Sequence, residues 1–161
     1  MPVKNRFFME KLVLFVCTGN TCRSPMAELY FNRFCLLRGF SGARALSAGI
    51  AAVPGAPVSE PARRVLASAG ADASGFGSRV LTAELIRASD LVVVMTEGHR
   101  RRVLGLCPEA GTKCRLLLEF SGVSGPVPDP FGGTVEIYAA VFALMRPALE
   151  ALAECFGATA C

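Results

Sequence analysis

Residues 12–16, Leu-Val-Leu-Phe-Val, form an unbroken apolar run without the alternation of a half-exposed strand. Such a run predicts a strand covered on both faces, as in a parallel sheet. The pattern then turns polar from Cys17 to Ser24 and becomes helical over residues 25–38, with Met26, Leu29, Tyr30, Phe34 and Leu37 on the inner face. Ser24 suits the N-cap, Pro25 the first helical position, and Gly39 the stop. Gly19 and Asn20 suit a loop with unusual backbone angles.

Further along, residues 44–49 read as a short second strand, and residues 49–57, rich in Ala, Gly and Pro, as a connection. Ser59 caps a helix over about residues 60–68, stopped by Gly70, and residues 73–78 are loop. Leu81 reads as a weak strand or turn, and Thr82 caps a short helix over 83–88. Residues 90–95 form another buried strand, and 97–106 a helix closed by Cys107-Pro108. Residues 115–118 read as a strand and 121–131 as a loop carrying Asp129. Thr134 caps a long final helix, 135–156, which Pro147 kinks or divides. Strands alternating with helices predict an α/β fold: a single-domain, doubly wound, mostly parallel four-stranded sheet flanked by helices. In such sheets crossovers are right-handed and ligands bind beyond the carboxyl ends of the strands.

At 161 residues the chain suits one domain, expected over residues 11–157 after a short extension, residues 1–10. The hydrophobic fraction is 52%, yet the longest apolar stretch, 137–145, stops at Arg146, well short of the roughly 20 residues of a membrane span. Residues 1–11 carry Lys4, Arg6 and Lys11 and lack the apolar core and cleavage site of a signal peptide. The net charge of +4 suits anionic substrates. Arg63-Arg64 and Arg100-Arg101-Arg102 read as solvated helix faces, since no aromatic stripe accompanies them as in a nucleic-acid surface. Seven cysteines without Cys-x2-Cys spacing, and one histidine, His99, argue for reduced thiols in the cytoplasm and against a structural zinc site. Cys35, Cys107, Cys114, Cys155 and Cys161 read as packing or surface thiols, and His99 as a solvated side chain.

The candidate chemistry lies in Cys17-Thr18-Gly19-Asn20-Thr21-Cys22-Arg23-Ser24. A tight loop entering a helix turns backbone N–H groups inward, and the helix N-terminus adds partial positive charge, which makes an anion cradle. Arg23 can offer a bidentate fork to two phosphate oxygens. That field favours a Cys17 thiolate, the nucleophilic form. A lone Cys at a strand end would be packing and a lone Arg solvated. It is the Cys-x5-Arg-Ser spacing between a buried strand and a helix that points to catalysis. Ser24 can also donate its hydroxyl to the thiolate. Asp129 is the candidate proton donor for the leaving group, although Asp-Pro is equally at home in a plain turn.

The loop through Pro25 resembles that of the low-molecular-weight protein tyrosine phosphatases, and most of all their bacterial protein-arginine phosphatase branch. The resemblance continues through Ser47-Ala48-Gly49, Ser78-Arg79, residues 88–96 and Asp129-Pro130-Phe131-Gly132-Gly133. It implies a metal-independent cysteine phosphatase with no cofactor, working through a phosphocysteine intermediate, with Cys17, Arg23 and Asp129 catalytic. The same Asp129 then activates water. The implied partners are phosphorylated protein substrates, with no nucleic acid or membrane, and the implied state is a monomer. In the family the residue at Asn20 is tied to a serine, here Ser47, and to a histidine, whose place is taken here by Phe76. Thr21 and Phe131 match the arginine-directed branch, where tyrosine-directed relatives carry a larger aliphatic residue and often Tyr. They tilt the substrate to phosphoarginine over phosphotyrosine. Cys22 matches a family cysteine that forms a reversible disulfide with the nucleophile; a small buried side chain is the plainer alternative.

Two other readings stay open. Thioredoxin-coupled arsenate reductases share the fold and loop, and Cys107 and Cys114 could be taken for their relay pair. That relay starts directly after the central strand, where this chain has Met95-Thr96. A phosphoprotein-binding module without turnover would be expected to lack Cys17 or Asp129, and both are present.

Overall fold

The computed structural model describes residues 9–157, and Cys161 lies outside them. Nine main elements follow in order: β1 (Lys11–Cys17), α1 (Arg23–Arg38), β2 (Ala43–Gly49), α2 (Glu60–Ser68), α3 (Ala83–Ala88), β3 (Leu91–Val94), α4 (Glu97–Leu106), β4 (Cys114–Leu116) and α5 (Val135–Gly157). The four strands form one parallel sheet in the order β2-β1-β3-β4. The chain winds outward from β1 to β2, returns past β1 to β3, and continues to β4. The direction therefore reverses between β1 and β3, which opens a crevice at their carboxyl ends.

Both faces of β1 are covered, as its unbroken apolar run requires. Val13 and Phe15 point into a core shared with Phe31 of α1, Leu66 of α2 and Met145 of α5. Leu14 and Val16 point into a second core with Ile86 of α3 and Val103 of α4. Fully burying such side chains is worth about 1.5–3 kcal/mol each, which commits β1 to the centre of the sheet.

Several expectations are corrected. Helix α1 begins at Arg23 with Cys22 as its N-cap, so Ser24 and Pro25 lie inside the first turn. The Ser24 hydroxyl is engaged by Cys17 and Asn20 instead of capping the helix. Leu37 is 66% exposed, because Phe31 and Cys35 take the buried face near the helix end. Asn20, at φ 55°, adopts the left-handed backbone in the loop, and Gly19 does not. Strand β4 stops at Leu116, since residues 117–121 wind into a 3-10 turn that buries Leu117 and Leu118 in the α5 core. Pro147 is accommodated within one unbroken helix α5. No helix of the described residues is long and apolar enough to cross a membrane.

Candidate active site

The loop between β1 and α1 is shaped by where its carbonyls go. Cys17 O accepts from Ile50 N, Thr18 O from Ala51 N, Thr21 O from Ser59 N, and Cys22 O from Met26 N. Asn20 O accepts from Ser78 Oγ at 2.6 Å. With these carbonyls drawn to the outside, the peptide planes turn N–H groups toward the concave side, beside the α1 N-terminus. Gly49 pairs with Cys17 in register and lies directly under the loop. A Cβ there would come within 2.5 Å of Thr18 O and 2.9 Å of Asn20 N, so only glycine fits.

Asn20 is fully buried and uses its whole amide. Its Nδ2 donates to Ser24 Oγ and to Ser47 Oγ, each at 2.8 Å, and its Oδ1 accepts from Arg79 N at 2.8 Å. Ser47 Oγ in turn donates to Glu28 Oε2, and Arg79 Nη1 donates to Ser47 O. Burial pushes the Glu28 carboxyl up, while the Ser47 hydrogen bond and nearby Arg79 pull it back. Phe76 is packed against the apolar core, and the network closes through Glu28, Ser78 and Arg79. Because Ser24 accepts from Asn20, its hydroxyl proton is free for Cys17 Sγ, 2.8 Å away.

A cleft of about 220 Å³ is lined by Cys17, Thr18, Gly19, Thr21, Cys22, Arg23, Asp129 and Phe131. Residues far apart in sequence thus meet in one place. Arg23 is only 4% exposed. Its Nη1 donates to Val127 O at 3.0 Å, its Nη2 lies 3.6 Å from Asp129 Oδ2, and its Nε is buried without a protein partner. Val127 N in turn donates to Met95 O, which ties the 122–131 loop to the end of β3. Asp129 Oδ1 accepts from Phe131 N, fixing the turn at Pro130. Phe131 stands 79% exposed at the rim. Cys22 is a buried free thiol whose Sγ contacts Tyr138 Oη at 3.0 Å; burial first, and then this contact, push the tyrosine up to about 12.

His99 is the main surprise. Far from solvated, it is 4% exposed, with Nε2 at 2.9 Å from Thr18 Oγ1 and Nδ1 at 3.1 Å from Thr96 Oγ1. The sequence signal was available: Thr96 caps α4 and places residue 99 in its first turn, at the carboxyl end of β3 beside β1.

The profile of the family described as low molecular weight phosphotyrosine protein phosphatase matches residues 12–159. The chain belongs to that family. This low-molecular-weight phosphatase is 38% identical to a protein-arginine-phosphatase of Geobacillus stearothermophilus over 147 residues, covering 91% of this chain and 96% of the relative. It is also 38% identical to the crystal structure of a low molecular weight protein tyrosine phosphatase from T. tengcongensis, with a TM-score of 0.85 over 90% of this chain and 99% of that one. A cysteine-to-serine variant of the YwlE arginine phosphatase, with its active-site serine phosphorylated, is 34% identical, with a TM-score of 0.83 over 89% and 93% of the two chains. The Geobacillus stearothermophilus protein-arginine-phosphatase and the T. tengcongensis protein tyrosine phosphatase are thus equally similar to this chain, at 38% each.

Proposed function

We propose that the chain is a cysteine-dependent protein phosphatase acting on phosphoarginine. The observation that carries the phosphatase reading is Arg23: a buried guanidinium on the cleft wall, beside the Cys17 thiol, with one N–H unpaired. An unpaired buried donor is costly, and a phosphoryl oxygen would satisfy it. The Cys17 thiolate attacks phosphorus, the bond to the leaving group breaks, and phosphocysteine forms. Arg23 and the loop N–H groups hold the equatorial oxygens as charge develops on them. Asp129 delivers the proton that the leaving nitrogen needs. It then takes one from water, which releases inorganic phosphate and restores the thiolate. Ser24 stabilises that departing thiolate through its directed hydroxyl proton.

Thr21 and Phe131 support the substrate class. Thr21 offers a small hydroxyl-bearing wall where a phenol ring would gain from an aliphatic one, and Phe131 supplies an exposed aromatic face on which a planar guanidinium can stack. Asp129 can pair with the leaving guanidinium, a cation that a phenol lacks. The reading extends to Cys22 as the thiol that closes a reversible disulfide on Cys17 after peroxide oxidation, sparing the nucleophile from irreversible oxidation. It extends also to a cytoplasmic setting, where the thiols stay reduced. An arsenate relay finds no support in Cys107 and Cys114, both fully buried in the core on the far face of the sheet from Phe15.

The test is kcat/KM on a phosphoarginine peptide and a phosphotyrosine peptide side by side, with Cys17→Ser as control and Thr21→Ile as the specificity variant. A phosphoarginine preference that reverses in Thr21→Ile is the expected result. A phosphotyrosine preference in the unaltered protein overturns the substrate assignment. Turnover indistinguishable from Cys17→Ser on both peptides overturns the enzyme itself.

A further inference from the structure

His99 touches the phosphate-binding loop without lining the cleft. Its ring is wedged between two hydroxyls, Thr18 Oγ1 on the loop and Thr96 Oγ1 at the start of α4. Thr96 Oγ1 also accepts from His99 N at 3.2 Å, so the imidazole is anchored to α4 through backbone and ring together. Thr18 has no such anchor of its own. Its side chain is exposed and its carbonyl is held by Ala51 N from the far side of the loop. The corner next to the nucleophile is therefore pinned through its backbone from the turn that follows β2, and through its hydroxyl from α4.

Burial and the Arg23 guanidinium on α1 both oppose a charge on the ring, while Asp129, on the loop before α5, partly offsets them. A neutral imidazole has one N–H and one lone pair. It must donate to one threonine and accept from the other, which fixes the hydroxyl orientation at both.

We infer that His99 is a positioning residue for the oxyanion site: by holding the Thr18 hydroxyl from the α4 side, it fixes the loop corner beside Cys17 and the donors offered to a bound phosphoryl group. The inference rests on the phosphatase reading of the cleft and adds a residue that touches neither substrate nor reacting atoms.

A double-mutant cycle tests it, using His99→Leu, Thr18→Val and both together, with inorganic phosphate as the probe. Binding is read by calorimetry and kcat/KM on the better peptide substrate. Each single change should weaken phosphate by about fivefold to tenfold, the scale of one lost hydrogen bond to an ordered site. The double variant should be no weaker than His99→Leu alone, and His99→Gln, whose amide can still reach Thr18, should recover much of the loss. Multiplicative losses, or wild-type phosphate affinity in a folded His99→Leu protein, overturn the inference. If His99→Leu does not fold, Thr18→Val decides: its exposed side chain is no burden on folding, and unchanged phosphate affinity overturns the inference. Coupled effects on phosphate binding without peptide turnover would sink the phosphatase reading and leave the positioning role standing. Turnover with independent effects would do the reverse.

Discussion

Asp129 Oδ2 lies 3.6 Å from Arg23 Nη2, with the arginine side chain 5% and the aspartate 56% exposed. The carboxylate thus occupies one side of the guanidinium on which a phosphoryl group would depend. Asp129→Asn keeps the shape and removes both the proton and the competing charge. Its kcat should fall by about 10²- to 10⁴-fold, the range for losing a general acid. Inorganic phosphate should bind the variant more tightly, because Arg23 loses its internal counter-charge. Product-inhibition constants measured beside kcat check this. Weaker phosphate binding in the variant would mean that Asp129 holds Arg23 in place rather than competing for it.

Gly49 offers a test of loop placement that changes no polar group. In Gly49→Ala the added methyl meets backbone atoms of Thr18 and Asn20, neither of which is the free end of a side chain. The loop must shift, and misplacing reacting groups by about 1 Å costs on the order of 100-fold in rate. Folding stability should fall by only about 1–3 kcal/mol, the scale of local overpacking. Thermal unfolding and kcat/KM measured on the same sample separate the two. A variant with near wild-type rate would show that the loop does not lean on Gly49.

His99 makes stability depend on acid. Its pKa is lowered from 6.5 to about 4 by burial and by Arg23. As pH falls through 6.5 the unfolded chain takes up a proton that the folded chain refuses until about pH 4. The unfolded state binds more protons across this window, so stability drops as pH drops, by up to about 3 kcal/mol, and levels off below it. His99→Gln should lose this slope in urea unfolding measured between pH 7 and pH 4. Glu28, whose carboxyl is pushed up by burial, contributes in the opposite direction but equally in both proteins, so the difference isolates His99. Parallel slopes would place the titration elsewhere.

The sheet and the cleft were legible in the sequence for different reasons. Leu12 to Val16 and Leu91 to Val94 are apolar on both faces, and only a central parallel strand accepts that. Cys17, Arg23 and Asp129 were singled out by residue type and by resemblance, and the structure places them around one cleft, although nothing in spacing alone brings residue 129 to residue 23. What failed was local rule against tertiary demand. Ser24 is a good cap by propensity, yet Asn20 and Cys17 claim its hydroxyl. His99 sits among Glu97, Arg100 and Arg101, which reads as a wet helix, yet its first-turn position faces the loop. Ser47 was foreseen as a partner of Asn20, but the groups that stand in for a histidine at residue 76 were not, since Glu28, Ser78 and Arg79 reach this network only when α1, β2 and the segment after Phe76 converge.

The reversal of winding between β1 and β3 has a consequence for how the chain comes alive. The groups around the cleft arrive from residues 17–24, 47–49, 78–79, 96–99 and 127–138, in that order of synthesis. A nascent chain cut short before the last of these holds the cysteine and the arginine but neither the Val127 carbonyl that orients the arginine nor the aspartate beside it. The cleft is thereby left open until residues 127–131 have been added, so its closing marks the moment the last loop joins the end of β3.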